Sequence, residues 1–354
     1  MNVPRALVNP HLAPGRVPAP AGPEVTAFHA GLPGYAPSPL HDLADEALAL
    51  GVAAIRYKDE SDRFGLPAFK ILGASWAIER TLQERPEVTT LHAASEGNHG
   101  RAVARAATLR GLRARVFLPE HTSDERARLI AGEGAEVVRV PGTYEQAVLA
   151  AESAFGRDCA VIADVAYDAD APVPGWVTDG YSTIFREVAA QDRDPFELVF
   201  TQIGVGSFAA AGIRFALHQT PRAHAIGVEP VTAACAIASL DRGDPVVIET
   251  PGTTMAGLNC GTPSAVAWPT LRDGLSGAIT VSDAEARSAM RDLAALGHTI
   301  GDCGASPLAA LRALVRDDRC AALRAAVGLD AHTRVLLVAT EGASDPAAYA
   351  AAIA

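Results

Sequence analysis

The sequence predicts an α/β protein of two lobes, each built on a mostly parallel sheet flanked by helices. The chain has 354 residues, whereas a single hydrophobic core usually stops growing at about 250 to 300 residues. Apolar residues make up 49% of the chain but aromatic residues only 5%, so the interior is built mainly from Ala, Val, Leu and Ile. Such side chains suit helices layered on a sheet. Short apolar runs alternate with amphipathic runs, which is typical of parallel βαβ units.

Residues 1–34 are rich in Pro and Gly and predict an irregular arm over the protein surface. A helical pattern follows at residues 41–50, and residues 53–57 predict the first strand. From there to residue 164, predicted helices and strands alternate. The helices are residues 70–82, 101–110, 123–131 and 144–155. The strands are residues 89–93, 114–118, 136–140 and 159–164.

The second half of the chain predicts the second lobe. Residues 165–175 predict a loop and residues 176–190 a helix that returns from one lobe to the other. The strands of this half are residues 198–203, 225–228, 278–281 and 334–338. Its further helices are residues 208–218, 284–296 and 307–315. Residues 241–274 lack periodicity and are dense in Gly, Thr and Pro, which favours a functional irregular segment.

Charge and cysteine usage narrow the function classes. The formal net charge of -11 provides no basic surface for nucleic acid or an anionic membrane, so we expect a small-molecule partner. The five cysteines show no CxxC or Cys/His spacing, so we predict no metal site and no disulfide framework. The N-terminal region contains five prolines in 20 residues and lacks the apolar run of a signal peptide. We therefore expect a cytoplasmic protein.

Lys58 and Lys70 are the only lysines of the chain. Lys70 follows an apolar residue and opens a predicted helix, where desolvation and the helix dipole both disfavour an ammonium ion. A lysine that forms a Schiff base requires this neutral form. The alternative interpretation is a solvated lysine in a helix first turn, because most lysines are exposed.

Two glycine-containing turns join predicted strands to predicted helices. Gly204, Val205, Gly206 and Ser207 form one, where backbone N–H groups and the helix dipole could hold a phosphate. The spacing is not that of a dinucleotide fingerprint, and an ordinary tight turn is the alternative. The other turn comprises Gly97, Asn98, His99 and Gly100, whose amides could hold a carboxylate. His99 could act as a base, although a structural histidine is the more common case.

Two carboxylates follow predicted strands. Asp164 ends one strand, and Glu96 precedes the Gly97 turn. The carboxyl ends of strands in open α/β sheets are where ligands bind, so both side chains are candidate proton acceptors. Helix-capping or solvated carboxylates are the alternative interpretation.

The combination of these motifs resembles the fold type II family of pyridoxal-phosphate enzymes and, within it, the diaminopropionate ammonia-lyases. The similarity runs from about Tyr35 to Asp345. It is carried by residues 57–61 (Tyr-Lys-Asp-Glu-Ser), 63–66 (Arg-Phe-Gly-Leu), 68–70 (Ala-Phe-Lys), 97–101 (Gly-Asn-His-Gly-Arg), 255–258 (Met-Ala-Gly-Leu), 260–261 (Cys-Gly) and 340–342 (Thr-Glu-Gly).

The resemblance implies a cofactor, pyridoxal 5'-phosphate, and a role for each motif. Lys70 would carry the cofactor as a Schiff base, and Asn98 would bind its phenolic oxygen. The loop of Gly204, Val205, Gly206 and Ser207 would hold the phosphate, and Thr340 would meet the pyridine nitrogen. The α-carboxylate of the substrate would bind at Ser95, Gly97 and His99. Asp164 and Glu96 would take the α-proton from opposite faces, although Glu96 stands where the resemblance has an aspartate.

The resemblance also implies an activity and an organisation. The expected reaction is α,β-elimination on a small β-substituted amino acid, 2,3-diaminopropionate, to give pyruvate and ammonia. The alternatives are a β-replacement synthase, a serine/threonine dehydratase-like enzyme, or a non-catalytic module that binds a phosphorylated metabolite. Residues 1–75 and 179–354 would form a large cofactor-binding domain, and residues 76–178 a small mobile domain. We expect a homodimer.

Overall fold

The structure is a computed structural model that describes residues 4–154 and 156–354. Within these residues the strands are β1 (Ala6–Val8), β2 (Leu40–Asp42), β3 (Ala54–Asp59), β4 (Thr90–Ala94), β5 (Arg113–Pro119), β6 (Glu136–Val140), β7 (Cys159–Val161), β8 (Leu198–Gln202), β9 (His224–Pro230), β10 (Leu275–Val281) and β11 (Arg334–Ala339). The helices are α1 (Pro23–Ala30), α2 (Ala44–Leu50), α3 (Lys70–Glu84), α4 (Asn98–Leu109), α5 (Asp124–Gly132), α6 (Tyr144–Ser153), α7 (Pro172–Gln191), α8 (Ser207–His218), α9 (Cys235–Arg242), α10 (Trp268–Gly274), α11 (Asp283–Ala295), α12 (Asp302–Arg316), α13 (Ala321–Ala326) and α14 (Pro346–Ile353).

These strands form two sheets. The larger sheet has the order β1-β10-β9-β8-β11-β3-β2, and the smaller has the order β6-β5-β4-β7. Strands β1 and β2 are antiparallel to their neighbours, and the other pairings are parallel. One apolar cluster includes buried residues of α3, α7, α8 and α10, and another includes buried residues of α2, α11, α12 and α13. The predicted α/β class with two mostly parallel sheets is confirmed.

The predicted site residues follow the carboxyl ends of strands from both sheets. In the small sheet, Ser95 follows β4 and Asp164 lies three residues beyond the end of β7. In the large sheet, Gly204 follows β8 and Thr340 follows β11. Parallel sheets present such ends at one edge, where the loops form a crevice for ligands.

Several predicted elements differ from the observed ones. The arm predicted as irregular contains β1, which is held by pairing with β10, and α1, whose first residue is Pro23. Pro is tolerated at that position because a helix's first N–H groups have no partner within it. His41 lies in β2, not in a helix, because its backbone pairs with β3. Asp164 lies beyond its strand, not within it. The predicted end of α6, Phe155, lies outside the described residues.

Helix α12 begins five residues before the predicted start at Pro307. A proline inside a helix removes the N–H that would bind the carbonyl four residues earlier, here that of Cys303. Two other donors reach this oxygen: Gln202 Nε2 at 3.1 Å and Ser306 Oγ at 2.8 Å. They offset the missing backbone hydrogen bond and let the helix continue through the proline.

A buried cluster of four charges fixes the chain between β3 and Lys70. Its members are Lys58, Glu60, Arg63 and Glu187, each at most 3% exposed at the side chain. Glu187 accepts hydrogen bonds from Lys58 Nζ at 2.7 Å and from Arg63 Nη2 at 2.8 Å. Arg63 also donates to Glu60 at 2.5 Å. The two positive and two negative charges balance, as burial of ionised groups requires.

We expect Glu187→Gln to destabilise the fold by about 3 to 5 kcal/mol, because the cluster would retain a net positive charge without solvent. Urea unfolding of the two proteins measures the difference in free energy of unfolding. Glu84→Gln is the matched control, since Glu84 is an exposed helical glutamate. A loss no larger than that of the control would show that the cluster does not stabilise the fold.

Among the described residues, every helix is too short or too polar to cross a bilayer.

Candidate active site

Lys70 is the first residue of α3, and its amine contacts the carboxylate of Asp164. The distance from Nζ to Oδ2 is 2.8 Å, and 22% of the lysine side chain and 16% of the aspartate side chain are exposed. The rings of Phe69 and Tyr181 lie 5.5 Å and 5.9 Å from Nζ. The pair is therefore largely shielded from water but still accessible from the crevice.

The segment after β11 holds the start of α3 in place. The N–H of Gly342 donates to the carbonyl of Pro67 at 3.0 Å, and Ala68 forms an isolated bridge with Glu341. These contacts place Lys70 next to the segment that carries Thr340. The two predicted cofactor contacts thus come from adjacent chain segments.

The charges of Lys70 and Asp164 stabilise each other. Burial by itself lowers the pKa of Lys70, but the Asp164 carboxylate outweighs it and holds that pKa above its ordinary value. Burial likewise raises the pKa of Asp164, but Lys70 and then His99 outweigh it and hold that pKa below its ordinary value. The sequence-based expectation of a neutral amine is therefore wrong for the chain's own groups. Before Lys70 can act as a nucleophile it must lose a proton, and the negative charge of Asp164 opposes that loss.

The glycine turn after β8 is connected to Asp164. Ser207, the first residue of α8, donates its hydroxyl to the backbone carbonyl of Asp164 at 2.7 Å. Gly206 precedes it with a φ of 100°, in the left-handed region that glycine adopts without strain. A Cβ on Gly204 would lie 2.7 Å from the carbonyl of Gly257. The turn therefore needs glycine at both positions, and it presents the amides at the start of α8 for an anion.

His99 lies behind the ion pair. Its Nε2 is 2.8 Å from the carbonyl oxygen of Ile162, which can only accept, so Nε2 carries a proton and donates it. Its Nδ1 is 3.9 Å from Asp164 Oδ2 and is a buried nitrogen with no hydrogen-bond partner among the described residues. The histidine therefore orients the loop that carries Asp164 and keeps one polar atom for a further partner.

Asn98 is held by the segment after β11. Its Nδ2 donates to Glu341 Oε2 at 2.8 Å and to Ser344 Oγ at 3.2 Å. Asn98 begins α4 of the small sheet, whereas Glu341 follows a strand of the large one. The contact therefore connects the two sheets beside the crevice.

Thr340 is buried at the end of β11, and its Oγ1 accepts a hydrogen bond from Gln202 Nε2 at 3.3 Å. Gln202 Nε2 also lies within hydrogen-bond distance of the carbonyls of Val338 and Cys303, so its two hydrogens are shared among three acceptors. Since Thr340 Oγ1 accepts from Gln202, its own hydrogen can be donated to an acceptor such as a ring nitrogen. Gln202 is thus a positioning residue for Thr340, and the sequence gives no signal that identifies it.

Glu96 and its neighbours form the other predicted part of the site. Glu96 Oε2 accepts a hydrogen bond from Thr122 Oγ1 at 2.9 Å, so this carboxylate is attached to the connection between β5 and α5. Ser95 Oγ accepts from the N–H of Gly97 at 3.3 Å. The structure thus joins Lys70, Asp164 and Ser207 directly, and it holds Glu96 through a different partner.

Two tyrosines near the ion pair were missed in the sequence. Tyr181 lies in α7 and packs so closely on α3 that a Cβ on Gly73 would be 2.5 Å from its ring. The glycine within the α3 pattern, Gly73, was the signal in the sequence for this close packing.

Tyr144 begins α6 and donates its hydroxyl to the carbonyl of Ala94 at 3.0 Å. Desolvation of the hydroxyl and then the negative charge of Asp164 raise the pKa of Tyr144.

Asp302 lies in the first turn of α12 next to Glu341. Its Oδ1 accepts from the N–H of Cys303 at 3.0 Å. Burial and then the charge of Glu341 raise the pKa of Asp302 from 3.8 to about 7. The folded state therefore favours the protonated carboxyl. As a result, the free energy of unfolding falls as the pH rises from 3.8 towards about 7.

We expect Asp302→Asn to remove this pH dependence. The variant should gain stability relative to the wild type as the pH rises between 3.8 and about 7, with a constant difference at higher pH. Thermal unfolding across this pH range measures the difference. Asp244→Asn, at an exposed aspartate, is the control and should show no such trend. A difference that stays flat with pH for Asp302→Asn would contradict the assigned pKa.

The residues present fit pyridoxal phosphate. Lys70 supplies a shielded amine, the turn at Gly204 and Gly206 leads into the N-terminus of α8, whose first N–H groups suit an anion, and Thr340 supplies a hydroxyl. The unpartnered His99 Nδ1 is a further polar atom beside Asp164. The donor set therefore suits an aldehyde, a phosphate and a ring nitrogen on one molecule.

Comparisons with known proteins agree with this geometry. A family model described as "Pyridoxal-phosphate dependent enzyme" matches residues 32–341. The diaminopropionate ammonia-lyase of Salmonella typhimurium is 36% identical over 93% of this chain and 90% of its own length. That of Escherichia coli K12 is 33% identical over 91% of this chain and 88% of its own length.

The fold agrees as well. A crystal structure of the Escherichia coli diaminopropionate ammonia-lyase, in complex with an aminoacrylate–PLP azomethine reaction intermediate, superposes with a TM-score of 0.89. The two chains are 30% identical, and the match covers 99% of this chain and 97% of that one. The protein therefore belongs to the family of pyridoxal-phosphate dependent enzymes.

Proposed function

We propose that the protein is an ammonia-lyase that converts 2,3-diaminopropionate and water into pyruvate and ammonia. The observation that carries the proposal is the 2.8 Å contact between Lys70 Nζ and Asp164 Oδ2. It places the amine that would hold the cofactor beside a carboxylate that could take the α-proton. The diaminopropionate ammonia-lyases that are 33% to 36% identical over most of the chain support this choice of substrate.

Each predicted site residue has a role in this proposal. Bound pyridoxal phosphate stabilises the negative charge that develops at the α-carbon. The Gly204, Val205, Gly206 and Ser207 turn binds the phosphate, and Thr340 donates a hydrogen bond to the cofactor ring. Asn98 donates to the ring oxygen by exchanging its longer contact, that with Ser344, for the cofactor. The amides of Ser95, Gly97 and His99 bind the α-carboxylate of the substrate and orient its α-hydrogen.

Asp164 and Lys70 move the protons. Asp164 accepts the α-proton, the electron pair of that C–H bond forms a double bond between the α- and β-carbons, and the bond between the β-carbon and the β-nitrogen breaks with its electrons on nitrogen. Lys70, with its amine free while substrate occupies the site, would donate a proton to the departing β-amine. Ser207 holds the backbone of Asp164, which keeps the base at a fixed distance from Lys70. Hydrolysis by water then releases the second ammonia together with pyruvate.

A panel of substrates tests the proposal. L-2,3-Diaminopropionate, L-serine, L-threonine and L-cysteine are each assayed for keto acid formation with the cofactor-loaded enzyme. We expect the highest kcat/KM for 2,3-diaminopropionate. A higher kcat/KM for serine or threonine would identify a dehydratase instead.

Glu96 is proposed to take the α-proton on the opposite face, which serves the D enantiomer. We expect Glu96→Gln to lower kcat/KM for D-2,3-diaminopropionate by about 10²-fold and to leave the L enantiomer nearly unchanged, because a general base contributes about 10² to 10⁴. Parallel assays of the two enantiomers measure this ratio. Glu120→Gln, at a nearby exposed glutamate, is the control. Equal losses for both enantiomers would remove Glu96 from this role.

The organisation of the enzyme is also a proposal. Residues 76–178 would form the small domain that moves on substrate binding, and residues 1–75 and 179–354 the large one. Strands β4 to β7 all lie within 76–178, which supports this division. A cytoplasmic homodimer is the proposed working form, and sedimentation velocity of the purified enzyme tests the dimer.

A further inference from the structure

Three side chains with metal-binding atoms meet outside the site described above. They are His41 of β2, Asp59 at the end of β3 and His298 in the turn after α11. One nitrogen or oxygen atom from each lies within 4.8 Å of the others. His41 Nε2 and Asp59 Oδ2 are 3.2 Å apart, and the two histidine rings have centroids 4.3 Å apart. Ligand atoms about 2.0 to 2.2 Å from a tetrahedral zinc ion are about 3.4 Å apart, close to the distance between His41 Nε2 and Asp59 Oδ2.

The three side chains are prepared for this role. Asp59 Oδ1 accepts a hydrogen bond from the N–H of Ser61 at 2.9 Å, which orients the carboxylate and directs Oδ2 to His41. The His298 ring makes no hydrogen bond to another described residue. All three residues are partly exposed, so an ion and its water ligands can reach them.

We propose that His41, Asp59 and His298 form a binding site for one divalent transition-metal ion of the zinc class. Two imidazoles and one carboxylate favour such an ion over Mg²⁺ or Ca²⁺, because Mg²⁺ and Ca²⁺ prefer oxygen ligands. Water completes the coordination on the exposed side. The spacing of cysteines in the sequence gave no sign of the site, because its ligands come from three separate elements and include no cysteine.

The ion would join the segment after β3, which begins at Asp59, to the turn that contains His298. These two segments lie on either side of the segment after β11. Gly342 lies between them, since a Cβ there would be 3.0 Å from the carbonyl of Ser61 and 3.1 Å from that of Thr299. Ser61 follows Asp59 by two residues, and Thr299 follows His298 directly. A bound ion would therefore restrain both neighbours of the Thr340 segment and stabilise the folded state, as any ligand specific to that state does.

Equilibrium dialysis against Zn²⁺ tests the site, with the metal content of the cofactor-loaded enzyme measured by mass spectrometry. We expect one equivalent of Zn²⁺ in the wild type, and its loss in both His41→Ala and His298→Ala. His218→Ala, at an exposed histidine in α8, is the matched control and should keep the ion. Binding that survives both His41→Ala and His298→Ala would assign the zinc to cysteines or to the cofactor and would overturn the proposal. So would the absence of binding in the wild type.

Thermal unfolding provides the second measurement. Zn²⁺ should raise the Tm of the wild type and of His218→Ala but leave that of His298→Ala unchanged. All three should have similar Tm values in EDTA, which shows that the variant is folded. An equal Zn²⁺-dependent shift in His298→Ala would contradict the site.

Discussion

Lys70→Arg is expected to abolish the visible absorbance of the cofactor-loaded enzyme and to lower kcat by at least about 10³-fold, since the covalent anchor is removed. Arginine keeps a positive charge opposite Asp164, so the ion pair that Lys70 makes at 2.8 Å has a substitute. The fold should therefore persist. Absorbance spectra and steady-state kinetics measure the two effects, and thermal unfolding confirms that the variant is folded.

Lys70→Ala separates the covalent role from the electrostatic one. It removes both the amine and the partner of Asp164, so the largely shielded carboxylate is left without its counter-charge and the variant should be less stable than Lys70→Arg. Both variants should be equally inactive. If Lys70→Arg retained the visible band, the cofactor would be attached elsewhere, and Lys58 would be the remaining lysine of the chain.

Asp164→Asn is expected to lower kcat for the L-substrate by about 10² to 10⁴-fold, the usual contribution of a positioned general base. The amide oxygen can still accept a hydrogen bond from Lys70 but cannot take the α-proton. Cofactor binding should persist, because Ser207 bonds to the backbone of residue 164 and not to its side chain. Exchange of the substrate α-hydrogen with deuterated solvent, followed by NMR, should be lost together with turnover.

The same substitution predicts a change at Lys70. The Asp164 carboxylate is what holds the pKa of Lys70 above its ordinary value, against the effect of burial. Without it, burial dominates and the pKa of Lys70 falls. We expect the variant to take up the cofactor at lower pH than the wild type. Full activity on the L-substrate in Asp164→Asn would show that the proposed base is wrong.

The parts of the site that the sequence predicts are those encoded by local patterns. Lys70 was identifiable because lysine is rare in this chain and occurs at a helix start. The Gly204 to Ser207 turn can be identified because glycine between a strand and a helix indicates a tight turn or a close approach of the backbone to another group. Alternating apolar and amphipathic runs were sufficient to predict two parallel sheets.

The parts that the sequence does not predict depend on contacts between distant segments. Gln202 positions Thr340 from a neighbouring strand, and Glu341 holds Asn98 across the two sheets. Neither contact corresponds to a recognisable spacing of residues in the sequence. The prediction of a neutral Lys70 is wrong for the same reason. Burial and the helix dipole can be inferred from neighbouring residues, but the Asp164 carboxylate belongs to a residue 94 positions further along the chain.

The measurement that tests the central claim most directly is the product balance of the purified, cofactor-loaded enzyme with L-2,3-diaminopropionate and no added nucleophile. Pyruvate is assayed with lactate dehydrogenase and ammonia with glutamate dehydrogenase. Elimination followed by hydrolysis predicts continuous formation of pyruvate with twice as much ammonia. No pyruvate, or product only after a thiol or an amine is added, would contradict an ammonia-lyase and indicate a β-replacement enzyme.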